Sequence, residues 1–125
     1  MSPTLIGLSA VASGAALGAC LRWGLGAALN GVQPLLPLGT LLANVAGGLL
    51  AGLAMAWIAR HPELSPGWRL FITTGFLGGL TTFSTFSAES LTLIMRGDWL
   101  PAVAHSVVHV FGSLGAAAVG YRLAS

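Results

Sequence analysis

The sequence predicts an all-α membrane protein in which four helical spans cross the bilayer and the third is interrupted. Three observations carry that expectation. The 125-residue chain is 55% hydrophobic and only 6% charged, with a mean hydropathy of +0.87, too little polar surface for a water-facing domain. It divides into four apolar runs of roughly the 20 residues a bilayer requires, separated by short polar turns. One run carries a glycine pair, hydroxyls and aromatics at residues 75–89, where a plain span would carry leucines.

The first span, 5–29, is rich in glycine and alanine, with Arg22 its one charge; the Asn30-Gly31-Val32-Gln33-Pro34 cluster and Pro37 end it. It is too long for the apolar region of a signal peptide and no basic residue precedes it, so it is expected to stay on the protein. The second span, 38–59, is uncharged with one amide, Asn44, and stops at Arg60-His61-Pro62-Glu63. Ser65-Pro66-Gly67 then reads as a helix start for the third, 68–95, which closes at Arg96-Gly97-Asp98. The fourth, 100–123, has Pro101 in its first turn. No extramembrane domain is predicted, and the whole chain reads as a single four-span unit.

Within the third run, Gly78, Gly79 and the β-branched Thr81, Thr82 and Thr85 weaken the helix and are expected to free backbone carbonyls near mid-bilayer. Backbone freed at that depth lines a path for an ion or substrate.

All five basic residues are arginines, Arg22, Arg60, Arg69, Arg96 and Arg122. They are scattered over apolar helices and form no basic patch, which argues against nucleic acid despite a pI near 9.5. Cys20 stands alone and forms no intrachain disulfide. If the spans alternate, Arg60, Arg69 and Arg122 fall on one side and Arg22 and Arg96 on the other, a near tie that permits insertion both ways. Four helices alone leave little room for a conduction path, so a second copy is expected. Both points fit an antiparallel, dual-topology homodimer. Small residues at four-residue spacing, Gly14 and Gly18, Gly48 and Gly52, and Gly112, Ala116 and Gly120, suit close helix contact between chains or within one.

The polar inventory gives the candidate site. Asn44 is costly against lipid and should face the bundle, where it offers two N–H donors to an anion. Ser106, His109 and Ser113 share a face of the fourth span, with His105 beside them. Phe83 and Phe86 stand three apart among hydroxyls, and aromatic ring edges carry partial positive charge that solvates an anion. Packing in the core and serine back-bonding are the ordinary alternatives for these residues. Glu89 is a carboxylate at membrane depth, functional or held by a local hydrogen bond or an arginine.

The motifs Gly-Ala-Cys-Leu-Arg-Trp from Gly18, Gly-Thr-Leu-Leu-Ala-Asn-Val-Ala-Gly-Gly from Gly39, Gly-Phe-Leu-Gly-Gly-Leu-Thr-Thr-Phe-Ser-Thr-Phe-Ser-Ala-Glu from Gly75 and Val-His-Val-Phe-Gly-Ser from Val108 together resemble the Fluc/CrcB fluoride channels. The resemblance spans the chain. It implies an antiparallel dual-topology homodimer in a bacterial inner membrane, with two fluoride pathways and a passive export role against fluoride toxicity. It also implies a central structural Na⁺ held by carbonyls of the third-span break, here Gly78 and Thr81. Asn44, Phe83, Ser84, Thr85, Phe86, His109 and Ser113 match the family's fluoride pathway, and Arg22 its first-helix arginine. Two positions depart from the pattern: His109 occupies a variable position, and Ala117 lacks a hydroxyl that some relatives carry.

The physics of fluoride agrees with that resemblance. A selective path must replace the water of a small, strongly hydrated ion with close donors and no deep trap, which hydroxyls, an amide and aromatic edges provide. Three other readings stay open on the residues alone. A proton-coupled exporter would want an acidic residue in the first span, which has none. An intramembrane enzyme would need a third group to orient His109 and Ser113, and a purely structural subunit would need no polar stripe.

Overall fold

The computed structural model describes residues 1–125, and every regular element in it is helical. Helix α1 (Pro3–Leu29) starts on Ser2, whose hydroxyl accepts the Leu5 amide at 3.2 Å, with proline in the first turn. Helix α2 (Leu38–Ala59) follows Pro37, and α3 (Pro66–Leu70) is capped by Ser65. From α3 the chain runs on through π-helical turns at Phe71–Leu77 into a last turn, α4 (Gly78–Leu80). It then goes extended for two residues, Thr81 at φ −89°, ψ 155° and Thr82 at φ −148°, ψ 123°. Helix α5 (Phe83–Met95) restarts on Thr82, whose hydroxyl accepts the Thr85 amide at 3.0 Å. At its far end Gly97 takes φ +81°, and the Gly97 and Asp98 amides bond back to Ile94 and Leu93 at 2.9 Å each, a Schellman turn leading into α6 (Trp99–Ala124).

The interruption is therefore where the threonines are, not where the glycines are. Gly78 sits in ordinary helical conformation, φ −62°, ψ −37°, and Gly79 belongs to α4. The expectation that the glycine pair loosens the helix is corrected by what Gly79 touches. A Cβ there would lie 2.5 Å from the Ala15 carbonyl of α1, so glycine is required by close approach, not by backbone freedom.

The π-helical turns and α4 pack against α1, α2 packs along α6, and α5 leans on α6. The small-residue rows make these contacts. Gly14 and Gly18 admit the Phe71 and Phe76 carbonyls, while Gly48 and Gly52 admit those of Ser113 and Ala117. Their use is within the chain. Arg60 Nη1 donates to the Ala124 carbonyl at 3.1 Å, bringing the ends of α2 and α6 together. Arg69 donates to the carbonyls of Leu64, His61 and Pro62, fixing the turn that precedes α3.

Three helices, α1, α2 and α6, are long and apolar enough to cross a membrane. Only 17 of 125 residues are buried, and leucine, valine, tryptophan and methionine side chains cover the outside, a surface suited to lipid rather than water.

Candidate functional site

The two-residue break is held from α2. Asn44 lies against it and closes a ring with Thr82: Oδ1 accepts the Thr82 amide at 2.8 Å, and Nδ2 donates to the Thr82 carbonyl at 2.9 Å. The side chain thus replaces the helical partners that an extended residue cannot use. With the Thr82 amide on Asn44, the Gly78 carbonyl receives no bond from it, and no backbone amide donates to the Thr81 carbonyl. On the other side of the break, Arg22 Nε of α1 donates to the Gly79 carbonyl at 3.1 Å.

The second N–H of Asn44 points at His109 Nδ1, 3.0 Å away on α6. Neither donor of Asn44 is left over. His109 is only 4% exposed, its Nε2 has no hydrogen-bond partner, and neither has the buried hydroxyl of Ser113 one turn further on. A buried polar atom without a partner is costly, so two on one helical face mark a place where something polar passes or sits. Phe86, buried, stacks on His109 at 4.7 Å and on His105 at 5.3 Å between ring centroids, and meets Phe83 edge to face at 5.4 Å. Phe83 itself is 77% exposed.

These residues line a groove of about 650 Å³ whose wall includes Asn44, Thr81, Phe83, Phe86, His109 and Ser113, with Gly78 also on its surface. Ser84 and Thr85 are not among the residues that line it. Ser84 is exposed and its hydroxyl is 3.3 Å from that of Thr82.

Past His109 the polar path continues toward the other end of the bundle. Glu89 of α5 accepts the Thr40 hydroxyl at 2.7 Å on Oε2 and faces His105 Nε2 at 3.2 Å on Oε1. Thr40 in turn is linked to Asn30, whose Nδ2 donates to the threonine hydroxyl at 3.3 Å and whose Oδ1 accepts its amide at 3.0 Å. Ser90 Oγ lies 2.8 Å from His105 Nδ1. A directed chain results, with protons pointing from Asn30 through Thr40 to Glu89 and from His105 to Glu89. Glu89 is held by a histidine and a threonine, not an arginine.

Several participants were not singled out by sequence. Thr40 stands four residues before Asn44, on the same face of α2, a spacing that could have flagged it; His105, noted only as lying beside the α6 stripe, stands four before His109. Asn30, read as part of a turn, and Thr82, read as a helix breaker, have partners ten and thirty-eight residues away. Conversely, Ser106 takes the ordinary course of a serine in an apolar helix and bonds back to the Ala102 carbonyl at 2.9 Å.

Chemically, the groove offers uncharged donors, aromatic rims and freed carbonyls, with the carboxylate of Glu89 set back behind His105. No nucleophile and base are paired in it. It is suited to letting a small ion shed water stepwise rather than to covalent chemistry.

The chain matches the family model described as "CrcB-like protein, Camphor Resistance (CrcB)" over residues 9–121. A relative from Aromatoleum aromaticum, named fluoride-specific ion channel FluC, is 58% identical over 112 residues, covering 90% of this chain and 86% of its own. Proteins of the same name from Thiobacillus denitrificans and Cupriavidus pinatubonensis are 55% and 54% identical, covering 90% and 94% of this chain and 90% and 96% of theirs. With the break, the Asn44 clamp and the aromatic pair all inside the matched region, the chain belongs to the CrcB family.

Proposed function

We propose that this protein is a fluoride-selective passive channel, a multi-pass membrane protein and not an enzyme. The observation that carries the reading is the groove itself, lined by His109 and Ser113, each with an unpartnered polar atom, and by Phe83 and Phe86, in a chain whose relatives are named fluoride-specific ion channels. Fluoride binds small donors strongly, and uncharged ones release it again, which conduction requires.

The groove is open along the side that carries Gly78 and Phe83, so a second copy of the chain is needed to wall it off from lipid. An antiparallel homodimer does so twice and yields two pathways, and the near-even split of arginines between the two ends favours that arrangement. The carbonyls of Gly78 and Thr81, without amide donors, suit a hard cation, and a structural Na⁺ bound between the two breaks would take them as ligands. Such a cation would offset the cost of bringing an anion into low dielectric. Arg22 occupies the neighbouring Gly79 carbonyl and keeps that oxygen out of the set. The setting is a bacterial inner membrane, where passive conduction exports fluoride and relieves its toxicity.

The test is fluoride efflux from liposomes containing the purified protein, followed with a fluoride electrode while an ionophore clamps the membrane potential, with chloride measured in parallel. Rapid fluoride loss without chloride loss is expected. Absence of fluoride loss from folded protein, or loss only with a proton gradient, contradicts a passive channel.

A further inference from the structure

The hydrogen bonds of Asn44 fix more than the break. Its amide cannot be turned around, because Oδ1 faces a backbone N–H and Nδ2 a backbone carbonyl, both of Thr82. The group presented to His109 at 3.0 Å is therefore an N–H. An N–H requires an acceptor, so Nδ1 of His109 carries no proton and the ring hydrogen is on Nε2. That Nε2–H is buried and without partner, on a residue that lines the groove and stacks on Phe86, one turn from the unpartnered hydroxyl of Ser113.

We propose that His109 is a direct anion donor in the groove through Nε2–H, and that Asn44 is a positioning residue which sets this tautomer instead of touching the ion. The division of labour follows from accounting: both N–H donors of Asn44 are already used, whereas the His109 donor is free. The anion's identity rests on the fluoride-channel reading; the tautomer does not.

A divalent metal is the competing occupant. Glu89, His105 and His109 each offer a ligand atom, all within 4.8 Å of one another. A metal on Nε2 of His109 takes that lone pair, moving the ring proton to Nδ1 and setting it against the Asn44 N–H, and a metal on Nδ1 displaces that N–H outright. The clamp on Thr82 thus disfavours the metal and favours the anion by the same bond.

Nitrogen-15 spectra of histidine-labelled protein in lipid nanodiscs read the tautomer directly, with His109 assigned through a His109→Gln control. The expected result is a protonated Nε2 and bare Nδ1 in the wild type, and the reverse in Asn44→Asp, whose carboxylate would accept from Nδ1. A proton on Nδ1 in the wild type, or no change in Asn44→Asp, overturns the positioning role. Zinc that binds with a metal-bound Nε2 signal from His109 overturns the anion assignment.

Flux measurements complete the test. His109→Gln places an amide N–H near the position of Nε2–H and should keep fluoride flux within about threefold, whereas His109→Phe, dimeric by size, should lose about tenfold or more. Unchanged flux in His109→Phe sinks the donor role while leaving the channel reading intact. A wild type that conducts no fluoride sinks the channel reading, and the spectra still decide the tautomer.

Discussion

The two flanks of the third-helix break are built from opposite materials. Toward α1, the chain brings backbone against backbone: Gly14, Gly18, Gly75 and Gly79 leave no room for a side-chain atom, and one hydrogen bond, from Arg22, crosses. Toward α2 and α6, the same break meets Asn44, His109, Ser113 and Phe86, with donors left unsatisfied beside a groove. The first flank is dry contact that sets where the break lies. The second gives up packing and hydrogen-bond satisfaction, which a fold alone does not need, and is where the chemistry resides. The comparison teaches that, around this break, the glycines packed against α1 mark the structural flank and the orphaned polar atoms mark the functional one.

The sharpest way to break the comparison is to fill the dry flank. Gly79→Leu forces a side chain into the Ala15 carbonyl and should cost more than ~3 kcal/mol, seen as loss of a monodisperse species on size-exclusion in detergent. Gly115→Leu, where a Cβ meets nothing, should stay folded as a control.

Next in size is the polar chain. His105 is 2% exposed and Glu89 15%, so Glu89→Leu leaves a buried imidazole and the Thr40 hydroxyl without their acceptor. A loss of about 3 kcal/mol is expected, against about 1 kcal/mol for Glu89→Gln, which retains an acceptor oxygen. Thermal unfolding in detergent compares the two; equal stability of both with the wild type would remove the carboxylate from the network.

Phe86→Leu should cost about 1 kcal/mol in stability through the lost stacking on two imidazoles, and lower fluoride flux by about tenfold. If flux is kept, aromatic edges are dispensable and the groove works through its hydroxyl and imidazole donors alone.

The smallest change separates the two flanks most cleanly. Ser113→Ala removes a buried hydroxyl that has no partner, so stability should hold or rise by ~1 kcal/mol while fluoride flux falls about threefold. A serine kept for structure would show the opposite, lower stability with unchanged flux.

Helix runs and their ends were legible in the sequence because their causes are local. Ser2 and Ser65 stand before prolines, Gly97 follows Arg96, and apolar stretches fill the intervals. The position of the break was legible only to within a few residues. Propensity points at Gly78 and Gly79 as readily as at Thr81 and Thr82, and the deciding factors are the Ala15 backbone and the Asn44 amide, far away in sequence. The glycine rows were equally ambiguous between contacts within and between chains, since spacing shows a face but not what covers it.

The site was legible as a set of polar residues and not as a network. Asn44, Glu89 and His109 stood out because lipid penalises them. That Asn44 spends its donors on Thr82 and His109, that Glu89 meets Thr40 across 49 residues, and that His105 joins them depend on how α2, α5 and α6 come together. Ser106 looked equivalent to Ser113, yet one bonds back to its helix and the other has no partner, a difference that spacing along α6 does not encode.

The central claim, that the groove conducts fluoride passively and selectively, is tested most directly by its reversal potential in a planar bilayer. With a steep fluoride gradient and symmetric chloride and pH, the account predicts current that reverses at the fluoride equilibrium potential and does not shift when chloride is changed. A reversal that follows chloride or protons, or the absence of any fluoride-dependent current from folded protein, would contradict it.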